Sequence, residues 1–303
     1  MKRINVLFLV MAFFLSPVAL AQTKESLKFD SAYRKAEKGD NEAQRYIAYC
    51  YLTGRGIAKD ENKAAQWYLK AAQQGDRKAQ FSLFGLYRIG QGVEKDTTMA
   101  YEWLKKSADN GHSEAQYVFS TYALNKVSRD QPDSVVIRYL TMATQNKHIK
   151  ATYLLGCCYF EGKSVDKDEK KAVDLWTQSA SEGHLQSQLR LSSCYFLGKG
   201  CEKSDTEGFS WLLKAAIQGD PQSQYKVGGC YLNGNGVDKD DAKAIEWFIK
   251  AADQGYVEAQ IRVGRLYLNK NKSVKKKSAI HYLEKAAENG NSEAIELLEK
   301  ISK

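Results

Sequence analysis

The chain is poor in the residue patterns that usually carry chemistry. It has four histidines, and it contains no C-x-x-C, no Walker phosphate loop and no G-x-S-x-G. Those absences remove the dithiol or zinc-ribbon pair, the nucleotide-binding loop and the hydrolase nucleophile elbow. Proline occurs three times and no Ser/Gly-rich stretch exists, which argues against a flexible linker. After residue 21 there is no long apolar run, so no membrane span is expected in the remainder.

The first 21 residues form a group of their own. Lys2 and Arg3 precede an apolar run from Ile4 to Leu15, and Ala19-Leu20-Ala21 supplies small residues before Gln22. That order reads as a secretory signal peptide, 1–21, cut near Ala21 to leave 22–303 in the periplasm or outside the cell. Gln22 is not Cys, which argues against a lipid-anchored start. Loss of Lys2 and Arg3 reduces the formal charge of +9, but the chain stays basic. A basic exported protein favours an acidic partner or an anionic envelope polymer.

What the chain does have is repetition. "WYLKAAQQGD" (Trp67 to Asp76) returns as "WLLKAAIQGD" (Trp211 to Asp220) and nearly as "WFIKAADQGY" (Trp247 to Tyr256). Equivalent positions are Ser31, Trp67, Trp103, Tyr139, Leu175, Trp211, Trp247 and Tyr282, a period of 36 that shortens to 35 at the last step. Each unit reads as two helices. Helix A of the first unit places Ala43, Ile47, Cys50 and Tyr51 on one face. "GRGI" turns the chain, and Ile57 is expected to plug that turn into the core. Asp60, Asp96, Asp168 and Asp240 are expected N-caps of helix B, and Gly75 a stop at its end. Pro132 and Asp133 are expected to start helix B of the third unit. One pair cannot bury its apolar faces alone, whereas stacked pairs can. Seven pairs are counted, with half-unit helices near Glu25–Lys38 and Ser292–Ile301 closing the ends. The fold class is therefore all-α, an α-solenoid over 22–303.

The pattern A-Q-x-x-(L/V)-G-x-x-Y-x-x-G-x-G-V-x-x-D-x-x-K-A-x-x-W-x-x-K-A-A-x-x-G resembles the Sel-1-like repeats, relatives of the tetratricopeptide repeats. Ser223 to Gly255 carries nearly every landmark. The resemblance implies a right-handed superhelix whose concave face serves protein–protein contacts. The third unit departs most: Ala123 stands for Tyr, "LNKVSRDQPD" for the G-x-G-V turn, Tyr139 for Trp and Lys147 for Gly. It reads as a drifted repeat, or as a local change of curvature that positions a site.

Reactive-looking residues mostly fall on the repeat phase. His112, His148 and His184 recur every 36 residues at the entrance of helix A, where Asp40, Asp76 and Asp220 stand elsewhere. Capping or exposure suits them better than a shared metal, because stacked helices lie about 8–10 Å apart. Cys50, Cys158, Cys194 and Cys230 share a core phase and behave there as small apolar residues. If a disulfide forms, Cys194–Cys201 is the favoured pair. Ser223 and Lys226 match the S-x-x-K of penicillin-binding proteins and β-lactamases, but no K-T-G or S-D-N supports them. They leave an envelope enzyme or β-lactam-binding protein as the alternative to a non-enzymatic scaffold. No cofactor is called for, and nucleic acid is disfavoured because the basic residues lack interleaved aromatics.

A helical turn of about 100° per residue sets a strip of helix A opposite the core. Counting from the small residue at the helix start, the strip takes positions −1, +3, +6 and +10. It includes Tyr46, Tyr49, Val118, Leu154, Arg190, Lys226, Arg262 and Arg265. Down position +3 it changes from aromatic and apolar to basic, so a protein or an extended, acidic peptide is the expected occupant. The basic run Asn269–Ser278 offers a second surface, for anionic envelope polymers.

Overall fold

The computed structural model describes residues 17–125, 133–268 and 273–302. Among them are sixteen α-helices and no strand. A single helix α1 (Pro17–Glu37) precedes the pairs α2/α3 (Asn41–Thr53, Glu61–Gln73), α4/α5 (Arg77–Ile89, Thr97–Asp109) and α6/α7 (Ser113–Leu124, Asp133–Gln145). Then follow α8/α9 (Ile149–Glu161, Glu169–Ser181), α10/α11 (Leu185–Leu197, Asp205–Ile217), α12/α13 (Pro221–Asn233, Asp241–Asp253) and α14/α15 (Val257–Leu268, Ser273–Glu288). A last helix, α16 (Ser292–Ser302), ends the chain. The helices gather into two compact units divided between His148 and Ile149. Most of the expected signal peptide lies outside the described residues, as do Pro132 and residues 269–272 of the basic run.

The helix ends follow from local chemistry. Asp60, Asp96, Asp168 and Asp240 each sit extended and accept a backbone N–H from the first turn of helix B. Ser204 does the same for α11. Each such cap is worth about 1 kcal/mol. At the other end, Gly75 adopts φ 88° and its N–H bonds Ala72 O. Lys147 keeps that left-handed geometry without being glycine (φ 59°), so the helix stop survives in the divergent third unit. The second glycine of the G-x-G turn answers a different need. A side chain on Gly236 would meet the carbonyl of Asp205, at the start of the preceding helix B.

One expectation fails at this turn. Ile57 is exposed (36%) rather than plugged into the core. Its counterparts Val93 and Val237 do pack partly against the core of their units. Arg55 and Gly56 instead lie against α1, where Arg55 Nε donates to Glu25 Oε2 at 2.7 Å.

Within unit 1 the core runs from Phe29 to Tyr139. It is built from the small and large residues that recur on helices A and B: Ala43, Ile47 and Cys50 against Trp67 and Ala71, then Ala79 and Leu83 against Trp103. Unit 2 repeats the pattern with a substitution. In its first pair the bulky residue is Trp176, fully buried, one position beyond the recurring tryptophan phase that Leu175 occupies. Trp176 stands where Leu104, Leu212 and Phe248 stand in other pairs. Gly156, facing it on α8, provides the room: a Cβ there would lie 2.6 Å from Trp176 Nε1. Gly228 faces Phe248 in the same way, with a Cβ distance of 2.7 Å.

A second thread is polar. Gln44, Gln80, Gln116, Gln188, Gln224 and Gln260 are all buried. Each donates its side-chain N–H to the carbonyl of an alanine in the preceding helix B, from Gln44 to Ala36 O (3.0 Å) through Gln260 to Ala252 O (3.2 Å). Four of their oxygens also accept from the amide that ends the next helix B. These donors are Gln74, Asn110, Gln218 and Gln254. The Gln that follows the small residue at six of the seven helix A starts thus forms a hydrogen-bonded seam that gives helix-end carbonyls a second donor inside the core.

Candidate functional site

The residues that repeat are used for structure. Ser223 is fully buried, and both its N–H and its hydroxyl donate to Asp220 Oδ2. The hydroxyl is tied to the capping carboxylate without solvent access, which opposes a nucleophilic role beside the exposed Lys226. Cys50, Cys158, Cys194 and Cys230 are buried, and all six cysteines are free thiols. The Cys194–Cys201 pair is therefore unbonded. Burial pushes the Cys158, Cys194 and Cys230 thiols up to about 11, away from the thiolate form that reactive cysteines need. Among the described residues no cluster of His, Cys, Asp and Glu is arranged to hold a metal ion.

Two of the three histidines on the repeat phase are caps, and the third, His148, bonds Glu114 Oε2 through Nε2 at 2.8 Å. His112 Nδ1 accepts from Ala115 N (3.2 Å) and His184 Nδ1 from Ser187 N (3.3 Å), while their rings lie against Phe81 and Tyr153 of the preceding unit. An accepting Nδ1 must be unprotonated. Burial, with Arg77 near His112 and Lys150 near His184, holds both imidazoles below their ordinary range. The unfolded chain then binds protons more readily, so stability is full above about pH 6.5 and falls as pH drops through the folded-state values. The thermal midpoint should fall between about pH 7 and pH 5, and less steeply in H112D/H184D, which restores the capping residue found at Asp40, Asp76 and Asp220. An unchanged pH slope in the double variant would count against this role.

The non-repeating strip of helix A is placed as follows. In unit 1, Tyr49 is exposed (43%), whereas Tyr46 and Val118 are half-buried and lean on the core. In unit 2, Leu154 and Arg262 are half-buried, and Arg190, Lys226 and Arg265 are exposed. Arg265 is occupied by an ion pair with Glu293. The other three cations stand at one position of three successive A helices. The Arg190 guanidinium lies over the Trp176 ring (5.8 Å) and the Arg262 guanidinium over Phe248 (5.9 Å). A hydrogen bond with Tyr153 raises the Arg190 pKa further above its ordinary value.

Lys226 and Arg262 border an open cleft of about 730 Å³ that lies wholly within unit 2. Its floor comes from Phe196, Leu212 and Phe248, and Ser193 and Gly229 line it with almost no side chain. Gly229 escaped the reading of the strip, because a scan for anchor residues passes over a glycine. The signal was its small size at position +6, next to Ser193 one unit earlier. The cleft combines apolar walls with a few convergent polar groups, as ligand and peptide sites do.

Comparison with known proteins agrees with this architecture. The Sel1 repeat model matches residues 41–76, 77–112, 149–184, 185–220, 221–256 and 257–291. It passes over 113–148, the divergent third unit, which nonetheless folds as the helix pair α6/α7. A protective antigen of uropathogenic Escherichia coli with an SLR fold superposes with a TM-score of 0.80 at 28% identity. That alignment covers 89% of this chain and 58% of the antigen, so the chain spans little more than half of its length. A Sel1 repeat protein from Oxalobacter formigenes gives a TM-score of 0.69 at 32% identity, over 90% of this chain and 79% of that one. No curated protein matches the chain. Sel1 repeats commonly mediate contacts between proteins and are generally without enzymatic activity. No helix among the described residues is long and apolar enough to cross a membrane. With six matched repeats along most of its length, the chain belongs to the Sel1 repeat family.

Proposed function

We propose that the protein is an exported, non-enzymatic scaffold that binds a protein partner along the strip of helix A opposite the core. The observation that carries this reading is the cleft of unit 2. It is bordered by two cations of the non-repeating strip, Lys226 and Arg262, and floored by aromatic and aliphatic side chains. Arginine is among the favoured interface anchors. The buried, cap-bonded Ser223 speaks against the S-x-x-K reading. Export is supported by the basic start, apolar run and small residues before Gln22.

The test is capture from the native cell envelope with the tagged protein. R190E/R262E should recover at least about tenfold less partner than the wild type, as expected when central charged anchors are reversed. Equal recovery would contradict the reading.

A further inference from the structure

We infer that the cleft of unit 2 takes an acidic peptide segment that also carries an apolar side chain. This rests on the helix A reading above and names the class of its partner.

Charge is the first argument. Arg45, Arg55, Arg138 and Arg265 each hold a carboxylate. Arg190, Lys226 and Arg262 do not, and among the described residues no carboxylate lies within 4.0 Å of any of them. No acidic residue lines the cleft. Three cations at one register of consecutive helices, none of them in a direct ion pair, form a row that attracts carboxylates and repels basic segments. Two of them are guanidinium groups resting on rings, a placement that limits their freedom before a ligand arrives.

The floor is the second argument, and it separates a peptide from an anionic polymer. Leu212 and Phe248 close the bottom of the cleft, and the apolar surface left open comes from half-buried Phe196 and from Leu197, 65% exposed at the rim. A phosphorylated or uronic polymer would satisfy the charges but leave this apolar surface unused. A Leu, Phe or Ile side chain entering between the helices would cover it and remove its own apolar surface from water. The third argument is hydrogen bonding. Asn233 and Asn235, both exposed, also line the cleft. A carboxamide both donates and accepts, which matches the paired N–H and C=O of an extended backbone.

The test is selection of a random peptide library on the immobilised full-length protein, followed by fluorescence anisotropy of the winning peptides. Selected sequences should be rich in Asp and Glu around one large apolar residue. Their affinity should fall with salt and drop at least about tenfold in R262E. G229L, which fills the cleft without changing charge, should weaken binding comparably, while K170E should not. Circular dichroism melts of the variants verify folding, and wild-type enrichment stands as evidence whether or not a variant folds. Neutral or basic winners would overturn the inference. So would inorganic polyphosphate that binds as well as the peptide and is weakened by R262E but not by G229L, since charge alone would then decide. If envelope capture depends on Arg190 and Arg262 but no acidic peptide is selected, the inference fails and the scaffold reading stands. If acidic peptides bind through Arg262 but native capture is unchanged in R190E/R262E, the scaffold reading fails instead.

Discussion

G156A is expected to destabilise unit 2 by about 1–2 kcal/mol, although a helical Gly→Ala change usually stabilises by up to about 1 kcal/mol. The added Cβ would lie 2.6 Å from Trp176 Nε1 and 2.7 Å from its Cδ1. Trp176 is fully buried, and its Nε1 donates to Tyr153 O at 3.1 Å. The ring has no solvent side to move into. Displacing it costs about 1–3 kcal/mol in overpacking, with a share of the hydrogen bond added to that. G229A supplies the contrast. Nothing lies within 4 Å of a Cβ at that position, so only the propensity gain remains and stability should rise. Trimming the ring with W176F should make G156A less costly, a coupling that a double-mutant cycle in urea reads directly. Stabilisation by both glycine replacements would show that the Gly156–Trp176 fit is not tight.

The second large effect is expected at the buried amides. Q224M keeps the length and apolar volume of the side chain but removes both of its bonds. Nε2 no longer reaches Ala216 O, and Oε1 no longer accepts from Gln254 Nε2. Ala216 O keeps the Gly219 N–H but loses its second donor. The cost of two such losses is about 1–3 kcal/mol. Q254A should cost less than half as much, because Gln254 is exposed and water can replace its amide. Comparable losses in the two variants would mean that the seam gives no more than ordinary surface hydrogen bonds.

These two sites also show where the sequence was readable and where it was not. The helices, their order and most caps followed from recurrence alone, because Asp before helix B and Gly after it have one local meaning wherever they occur. The third unit was counted as a helix pair from the period, although its landmarks had drifted. Residues that depend on a neighbour in space were harder. The "AQ" dipeptide was visible as a motif, but nothing in its spacing says that the amide bridges two carbonyl-bearing helix ends. Trp176 lies one residue off the phase marker, and only its fit against Gly156 explains why that is tolerated. Ile57 looked like a plug by its type, yet the turn packs through Arg55 and Gly56 instead. On the candidate strip, the helical angle separates core from surface but carries no information on how far neighbours reach. Tyr46 and Val118 therefore lean on the core while Tyr49 stands free. The cleft itself arises from what Ser193 and Gly229 lack, a signal that a search for large anchors misses.

The central claim is that function resides in the helix A face, and paired charge reversals test it most directly. Partner recovered from the native envelope is quantified for the wild type, for R190E/R262E and for K170E/K239E. The last pair carries the same charge change on exposed lysines that do not line the cleft. Recovery should fall at least about tenfold in the first variant and stay near wild type in the second. Equal losses in both would reduce the interaction to net charge, and no loss in either would place the binding surface elsewhere.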